Sequence, residues 1–128
     1  MSALGHGIDI VEIPRISRMV QNHGDRFLTR IYHGEEIAWA MSGGVLRDER
    51  LAARFAAKEA VMKVLGMGWY DGVKWTEIAV LREPGGRPVL ALSGRAGARG
   101  AELGFRRWAV SLSHTGSLAI ASVVATGP

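Results

Sequence analysis

Residues 47–65 read RDERLAARFAAKEAVMKVL, and no other stretch limits the fold as strongly. At about 100° per residue, Leu51, Phe55, Met62 and Leu65 form one apolar stripe, while Ala52, Ala53, Ala56, Ala57 and Ala60 fill most other directions. A helix that is apolar or small nearly all round has little surface meant for water and belongs in the interior. Gly66 follows as a C-terminal cap. Yet the same helix carries Arg54, Lys58, Glu59 and Lys63, with Lys58 in the middle of the stripe and Glu59 and Lys63 four residues apart on one flank. Those charges have two explanations. Glu59 and Lys63 form an ordinary surface pair worth about 0.2–0.5 kcal/mol while Lys58 reaches outward along its methylene stem, or the helix holds a charged ligand.

The remaining segments give the fold class. His6–Ile13 is rich in isoleucine and valine and reads as a strand, with Asp9, Val11 and Ile13 on one face and Ile8, Ile10 and Glu12 on the other. Pro14 opens a helix through about Gln21, "NHGD" breaks it, and a short helix is expected over Glu35–Met41. Val73–Arg82 and Pro88–Leu92 read as strands joined at "EPGGR", and Ser93–Leu103 as a glycine-weakened helix. "RWAVSLSHTGSLAIASVVA" supplies two more strands, turning around Thr115, Gly116 and Ser117. Strands adjacent in sequence and joined by short turns pair antiparallel, so the expected class is α+β: a mainly antiparallel sheet packed with a long helix. At 128 residues, the whole chain, 1–128, is expected to form one domain.

Composition narrows the chemistry. There is no cysteine, and the four histidines lack metal-ligand spacing, so any metal must be held mainly by oxygen. The net charge of +4 points to an anionic partner, whether nucleic acid, a phosphorylated small molecule or an acidic protein. No segment reaches the roughly 20 apolar residues that span a bilayer, and Asp9 interrupts any signal-peptide core, so the expected compartment is the cytoplasm, with no membrane partner.

Asp9 changes the weighing of the helix charges. A carboxylate between Ile8 and Ile10 costs several kcal/mol if buried without a partner, so it needs a cation or hydrogen-bond donors. A structural cap or a salt bridge to arginine would meet that need. If instead the strand packs on the long helix, Asp9 and Glu59 approach each other as a hard-oxygen site suited to Mg²⁺, which commonly takes one or two carboxylates plus waters and substrate phosphate. Arg54, Lys58 and Lys63 would then meet phosphate oxygens. Ser113 and His114 in "SLSHT" are poorly placed as nucleophile and base, because adjacent strand residues point to opposite faces; His114 suits a phosphate or ribose contact better. "GGRPV", Gly85–Val89, can cradle an anion or simply close a hairpin.

Taken together, "GIDIVEIPR", "RFAAKEAVMK", "GGRPV" and "SLSHT" occur in an order that resembles the holo-acyl-carrier-protein synthases, small bacterial 4′-phosphopantetheinyl transferases. The resemblance covers essentially the whole chain. It implies the fold of that family and Mg²⁺-dependent transfer of phosphopantetheine from coenzyme A to a serine of apo acyl carrier protein, releasing adenosine 3′,5′-bisphosphate, in support of fatty-acid synthesis. By position it implies Asp9 and Glu59 as metal ligands and catalytic groups, with Glu59 as base or water-positioning group, and Lys63 serving the pyrophosphate. Arg54, Lys58, Gly86, Arg87, Pro88, His114 and Thr115 fall on the coenzyme A side. Arg15, Arg18 and Met19, with Arg26 and Phe27 beyond them, are implied as the docking face for the acidic carrier.

Members of the family typically assemble as trimers with sites between subunits, so a homotrimer is expected. Two departures stand out. "GGVLRDER" is less basic than the usual segment before the signature helix, and Met67 replaces a common small hydroxyl residue. A basic nucleic-acid-binding module is the rival reading; it explains the charge, but Trp39, Trp69, Trp75 and Trp108 are not interleaved with basic residues as base-stacking motifs are, so no nucleic-acid partner is expected.

Overall fold

The computed structural model describes residues 2–128. Its elements run β1 (Leu4–Glu12), α1 (Ile13–His23), α2 (Asp25–Ile31), α3 (Gly34–Met41), α4 (Arg47–Leu65), β2 (Ile78–Arg82), β3 (Pro88–Leu92), α5 (Gly94–Glu102), β4 (Arg107–His114) and β5 (Leu118–Thr126). Short 3₁₀ turns cover Gly44–Leu46, Trp69–Asp71 and Trp75–Glu77. Every strand pair is antiparallel: β1, β5 and β4 form one sheet in that order, and β2 and β3 form a separate hairpin. The α+β expectation holds.

Helix α4 is the centre of the molecule, as its composition requires. Leu51, Ala52, Ala56, Ala57, Ala60 and Val61 are wholly buried, and Gly66 ends the helix in the left-handed region at φ 64°. The sheet lies against it through Val11, Ala119, Ala121 and Val123, while Ile16 and Val20 of α1 join the same core. The strand periodicity is also as expected. Gly7, Asp9 and Val11 face inward, and Ile8 and Ile10 are exposed.

Gly7 sets the distance between strand and helix. A Cβ there would collide with the carbonyl oxygen of Ala60, so only glycine lets β1 cross α4 this closely. Asp9, two residues on and on the same face, is thereby brought to the level of Glu59 and Lys63 on α4.

Three element boundaries depart from the sequence reading. Ile13, expected as the end of β1, is the first residue of α1, and its amide donates to the Ser117 carbonyl. After Gly24, whose φ of 52° breaks α1, the chain resumes as the seven-residue α2, which burial of Phe27, Leu28 and Ile31 stabilises and which a helix this short does not announce by periodicity. Strand β2 starts at Ile78 rather than Val73, because Trp75–Glu77 is a 3₁₀ turn whose Trp75 carbonyl accepts from a buried lysine.

Candidate active site

Two clefts flank α4, and no lining residue is common to both. The first, about 520 Å³, contains Glu59 and Lys63, with Arg15, Phe55, Trp69 and Trp75 on its walls. Asp9 borders this group. Its Oδ1 accepts a hydrogen bond from Lys63 Nζ at 2.9 Å, and the same Nζ donates to the Ile8 carbonyl at 2.9 Å. The i,i+4 pair of Glu59 with Lys63 expected for an exposed helix is thus replaced by a pair reaching across to β1. One N–H of Lys63, whose side chain is about half exposed, remains free for a further acceptor.

Asp9 is 9% exposed, and its Oδ2 is buried without a hydrogen-bond partner. Glu59 lies against it. Burial raises the Glu59 pKa first, and the neighbouring Asp9 carboxylate raises it further, against the opposing pull of Arg15 and Lys63. Two carboxyl groups turned toward each other, one with an orphaned buried oxygen, fit a hard divalent cation and fit Mg²⁺ well. No group of three or more His, Cys, Asp or Glu gathers elsewhere among the described residues, so the chain offers two ligands and would leave the rest to water and phosphate.

The second cleft, about 440 Å³, is cationic. Arg50, Arg54, Arg82 and His114 line it, with Trp39, Gly86 and Pro88. Arg54 is 6% exposed, and its Nε is buried without a partner. Desolvation lowers the Arg54 pKa; Glu36 opposes that, and Arg82 and Arg50 reinforce it. His114 Nε2 stands 3.1 Å from Glu49 Oε1.

Several expected residues lie elsewhere. Lys58 is not a coenzyme A ligand: it is fully buried, and its three N–H groups go to Glu36 Oε1 at 2.8 Å, the Trp75 carbonyl at 3.2 Å and the Ile78 carbonyl. Glu36, also buried, accepts in addition from His33 N and Val80 N. Arg87 is exposed on the β2–β3 turn outside the cleft, and Arg82 takes the place expected of it. Thr115 is likewise not on the wall; its hydroxyl accepts from Leu118 N at 3.2 Å and caps the β4–β5 turn.

On the implied docking face Arg15, Arg18 and Arg26 are exposed. Met19 is half-buried beside the carboxylate cleft, in a groove that Arg30 also borders. Phe27 is a core residue, 7% exposed and edge-on to Tyr32 at 5.8 Å, so it offers a carrier little surface. Arg50, Arg82 and Trp39 escaped the sequence reading. Arg82 gave the only signal, as a second arginine flanking "EPGG".

Comparison with known proteins identifies this arrangement. The family model of the 4′-phosphopantetheinyl transferase superfamily matches residues 5–121. The holo-[acyl-carrier-protein] synthase of Koribacter versatilis is 52% identical over 121 residues, covering 94% of this chain and 96% of the relative. Among solved structures, the holo-[acyl-carrier-protein] synthase of Neisseria meningitidis is 34% identical with a TM-score of 0.82, covering 94% of this chain and 96% of that one. That of Helicobacter pylori, solved in complex with coenzyme A, is 30% identical with a TM-score of 0.81, covering 94% of this chain and 98% of that one. The chain therefore belongs to the holo-acyl-carrier-protein synthases of the 4′-phosphopantetheinyl transferase superfamily, and it is an enzyme.

Proposed function

We propose that the chain transfers 4′-phosphopantetheine from coenzyme A to a serine hydroxyl of apo acyl carrier protein, with Mg²⁺, releasing adenosine 3′,5′-bisphosphate in support of fatty-acid synthesis. The observation that carries the reading is the Asp9–Glu59 carboxyl pair, with Asp9 Oδ2 orphaned and Lys63 beside it. The coenzyme A bound in the Helicobacter pylori relative supports the donor.

The serine oxygen attacks the β-phosphorus of the pyrophosphate, its proton leaves to Glu59, and the bond to the α-phosphate bridging oxygen breaks. Glu59, which lines the cleft beside Lys63, is the carboxylate this chain offers to the serine proton. Lys63, fixed by Ile8 and Asp9, turns its remaining N–H to the leaving phosphate. Asp9 and Glu59 would hold Mg²⁺, which when bound neutralises pyrophosphate charge. The cationic cleft takes the nucleotide end of the donor, and Arg15, Arg18 and Arg26 steer the acidic carrier.

The assembly proposed is a homotrimer in the cytoplasm, in which the carboxylate cleft of one protomer meets the arginine cleft of the next. The apolar outer face of the sheet supports it: Leu4, Ile8, Ile10 and Val124 are all exposed in the single chain. No helix among the described residues is long and apolar enough to cross a membrane.

The deciding experiment is the intact mass of apo acyl carrier protein after incubation with the enzyme and coenzyme A, with Mg²⁺ or with chelator. A Mg²⁺-dependent gain of one phosphopantetheine is expected. An unchanged mass, with a carrier competent toward another transferase, would overturn the reading for that carrier.

A further inference from the structure

A histidine stands in the middle of the apolar outer face of the sheet. That face carries Leu4, Ile8 and Ile10 of β1, exposed by 77%, 51% and 57%, and Val124 of β5. Strand alternation puts His6 between Leu4 and Ile8, and the register sets it directly opposite Val124. Its Nε2 lies 3.2 Å from Ser122 Oγ, a contact that either tautomer of the ring can make. Among the described residues, the other charged groups on this face stand at its ends. Arg107 of β4 is in the row of Leu4, two strands away, and Glu12 closes the far end of β1, about 20 Å along the strand from His6. Strand β5 contributes no titratable group.

Two observations point to a second copy of the chain as what covers this face. The chain carries a net charge of +4, so its copies repel one another except across a surface without charge, and the middle of this face is such a surface. The same neutrality leaves an acidic carrier or an anionic donor nothing to pair with there. The site also calls for a second copy. The carboxylate cleft and the arginine cleft share no lining residue and flank a buried helix, so one donor engages both kinds of cleft only across a boundary between protomers.

We propose that His6 makes self-assembly through this face depend on protons: the covered face accepts the neutral imidazole, and the imidazolium drives the protomers apart. This rests on the homotrimer reading. Covering the face takes the ring out of water, which penalises the charged form and not the neutral one. Ser122 offers a hydrogen bond but no counter-charge, Glu12 is too far along the strand to supply one, and Arg107 adds repulsion. Threefold symmetry multiplies the effect, because each protomer brings its own His6. Histidine ordinarily changes charge between about pH 5 and 8, so assembly is complete at the alkaline end of that range and is lost as pH falls through it. With three protons taken up per trimer, the dissociation constant rises by up to about a thousandfold per pH unit. Transfer stops with it, since the two kinds of cleft part.

The test is sedimentation velocity of the intact protein at about pH 8 and about pH 5, the ends of the histidine range, at one ionic strength and several protein concentrations, with far-UV circular dichroism to follow the fold. Neither coenzyme A nor carrier is present. The wild type is expected as a trimer at the higher pH and a folded monomer at the lower. His6→Gln keeps a hydrogen-bonding partner for Ser122 but cannot ionise, and should stay trimeric at both. His6→Lys places a lasting charge at a position exposed in the single chain, and should be a folded monomer at both. A wild type that stays trimeric at both values overturns the proposal, as does one that dissociates no more readily than His6→Gln; each leaves the homotrimer standing. A wild type that is monomeric at about pH 8 overturns the proposal and the homotrimer together. If acid unfolds the wild type, His6→Lys at about pH 8 decides alone: a trimer there overturns the proposal, and a folded monomer beside a trimeric wild type supports it. The readout needs no turnover, so the transfer reading stands or falls separately.

Discussion

Replacing Lys58 with methionine removes the cation from an ion pair whose two side chains are both wholly buried. Methionine approximates the stem, so the loss is chiefly electrostatic. Glu36 would keep its two amide donors, His33 N and Val80 N, but would lose its counter-charge, and the carbonyls of Trp75 and Ile78 would lose the donor that Lys58 provides. Breaking a buried pair from one side costs about 3–5 kcal/mol; with two amides still on Glu36, about 3 kcal/mol is expected. At roughly 4 °C per kcal/mol for a chain of this size, Tm should fall by about 12 °C. Glu36→Gln should cost a similar amount by stranding Lys58. The double variant leaves no buried charge and should cost about 4 kcal/mol, at least about 2 kcal/mol less than the sum of the single losses. The assay is urea unfolding of all four proteins at one fixed protein concentration, because self-association would shift each midpoint. A loss below about 1 kcal/mol for Lys58→Met, or additivity within about 0.5 kcal/mol, would refute the paired, desolvated geometry.

Other substitutions test the site. Glu59→Gln keeps the shape of the carboxyl and should cut transfer by about 10²–10⁴-fold in a carrier-mass assay, as expected for loss of a general base; near-normal turnover would remove Glu59 from that role. Arg15→Glu should raise the KM for acyl carrier protein and weaken its salt dependence, measured by steady-state kinetics at two ionic strengths. Gly7→Ala should destabilise by about 1–3 kcal/mol in urea unfolding and also reduce transfer, since the added Cβ meets the Ala60 carbonyl and pushes Asp9 from Glu59.

The parts of the fold legible in the sequence were those with a long or repeated signal. Helix α4 announced its length, its burial and its Gly66 cap because nineteen residues leave no exposed apolar-free face to misread. The approach of Asp9 to Glu59 followed from one buried-looking carboxylate in an apolar strand. What stayed hidden depended on contacts between distant segments. Lys58 stood out as a lysine in an apolar stripe, but its partner Glu36 lies 22 residues away, and nothing in local periodicity links them. Lys63 was read against its helix neighbour Glu59, whereas folding offered it Asp9, 54 residues distant and far more in need of a cation. The Arg50–Trp39–Arg82 stack joins α4, α3 and β2, which sequence spacing cannot align.

Among the described residues, strand β1 has β5 as its one hydrogen-bonded neighbour, in a register that pairs His6 with Val124 and lets the His6 ring reach Ser122 Oγ, 116 residues along the chain. During synthesis, helix α4 leaves the ribosome long before the strand that must lock Asp9 against it. Until β5 arrives, the glycine-lined face of β1 has only the helix to lean on, and its backbone amides and carbonyls have no ladder. The Asp9 carboxylate is thus among the last groups to be fixed, and a nascent chain stalled within β4 should hold a formed α4 yet lack the Asp9–Glu59 pair and with it the proposed metal site.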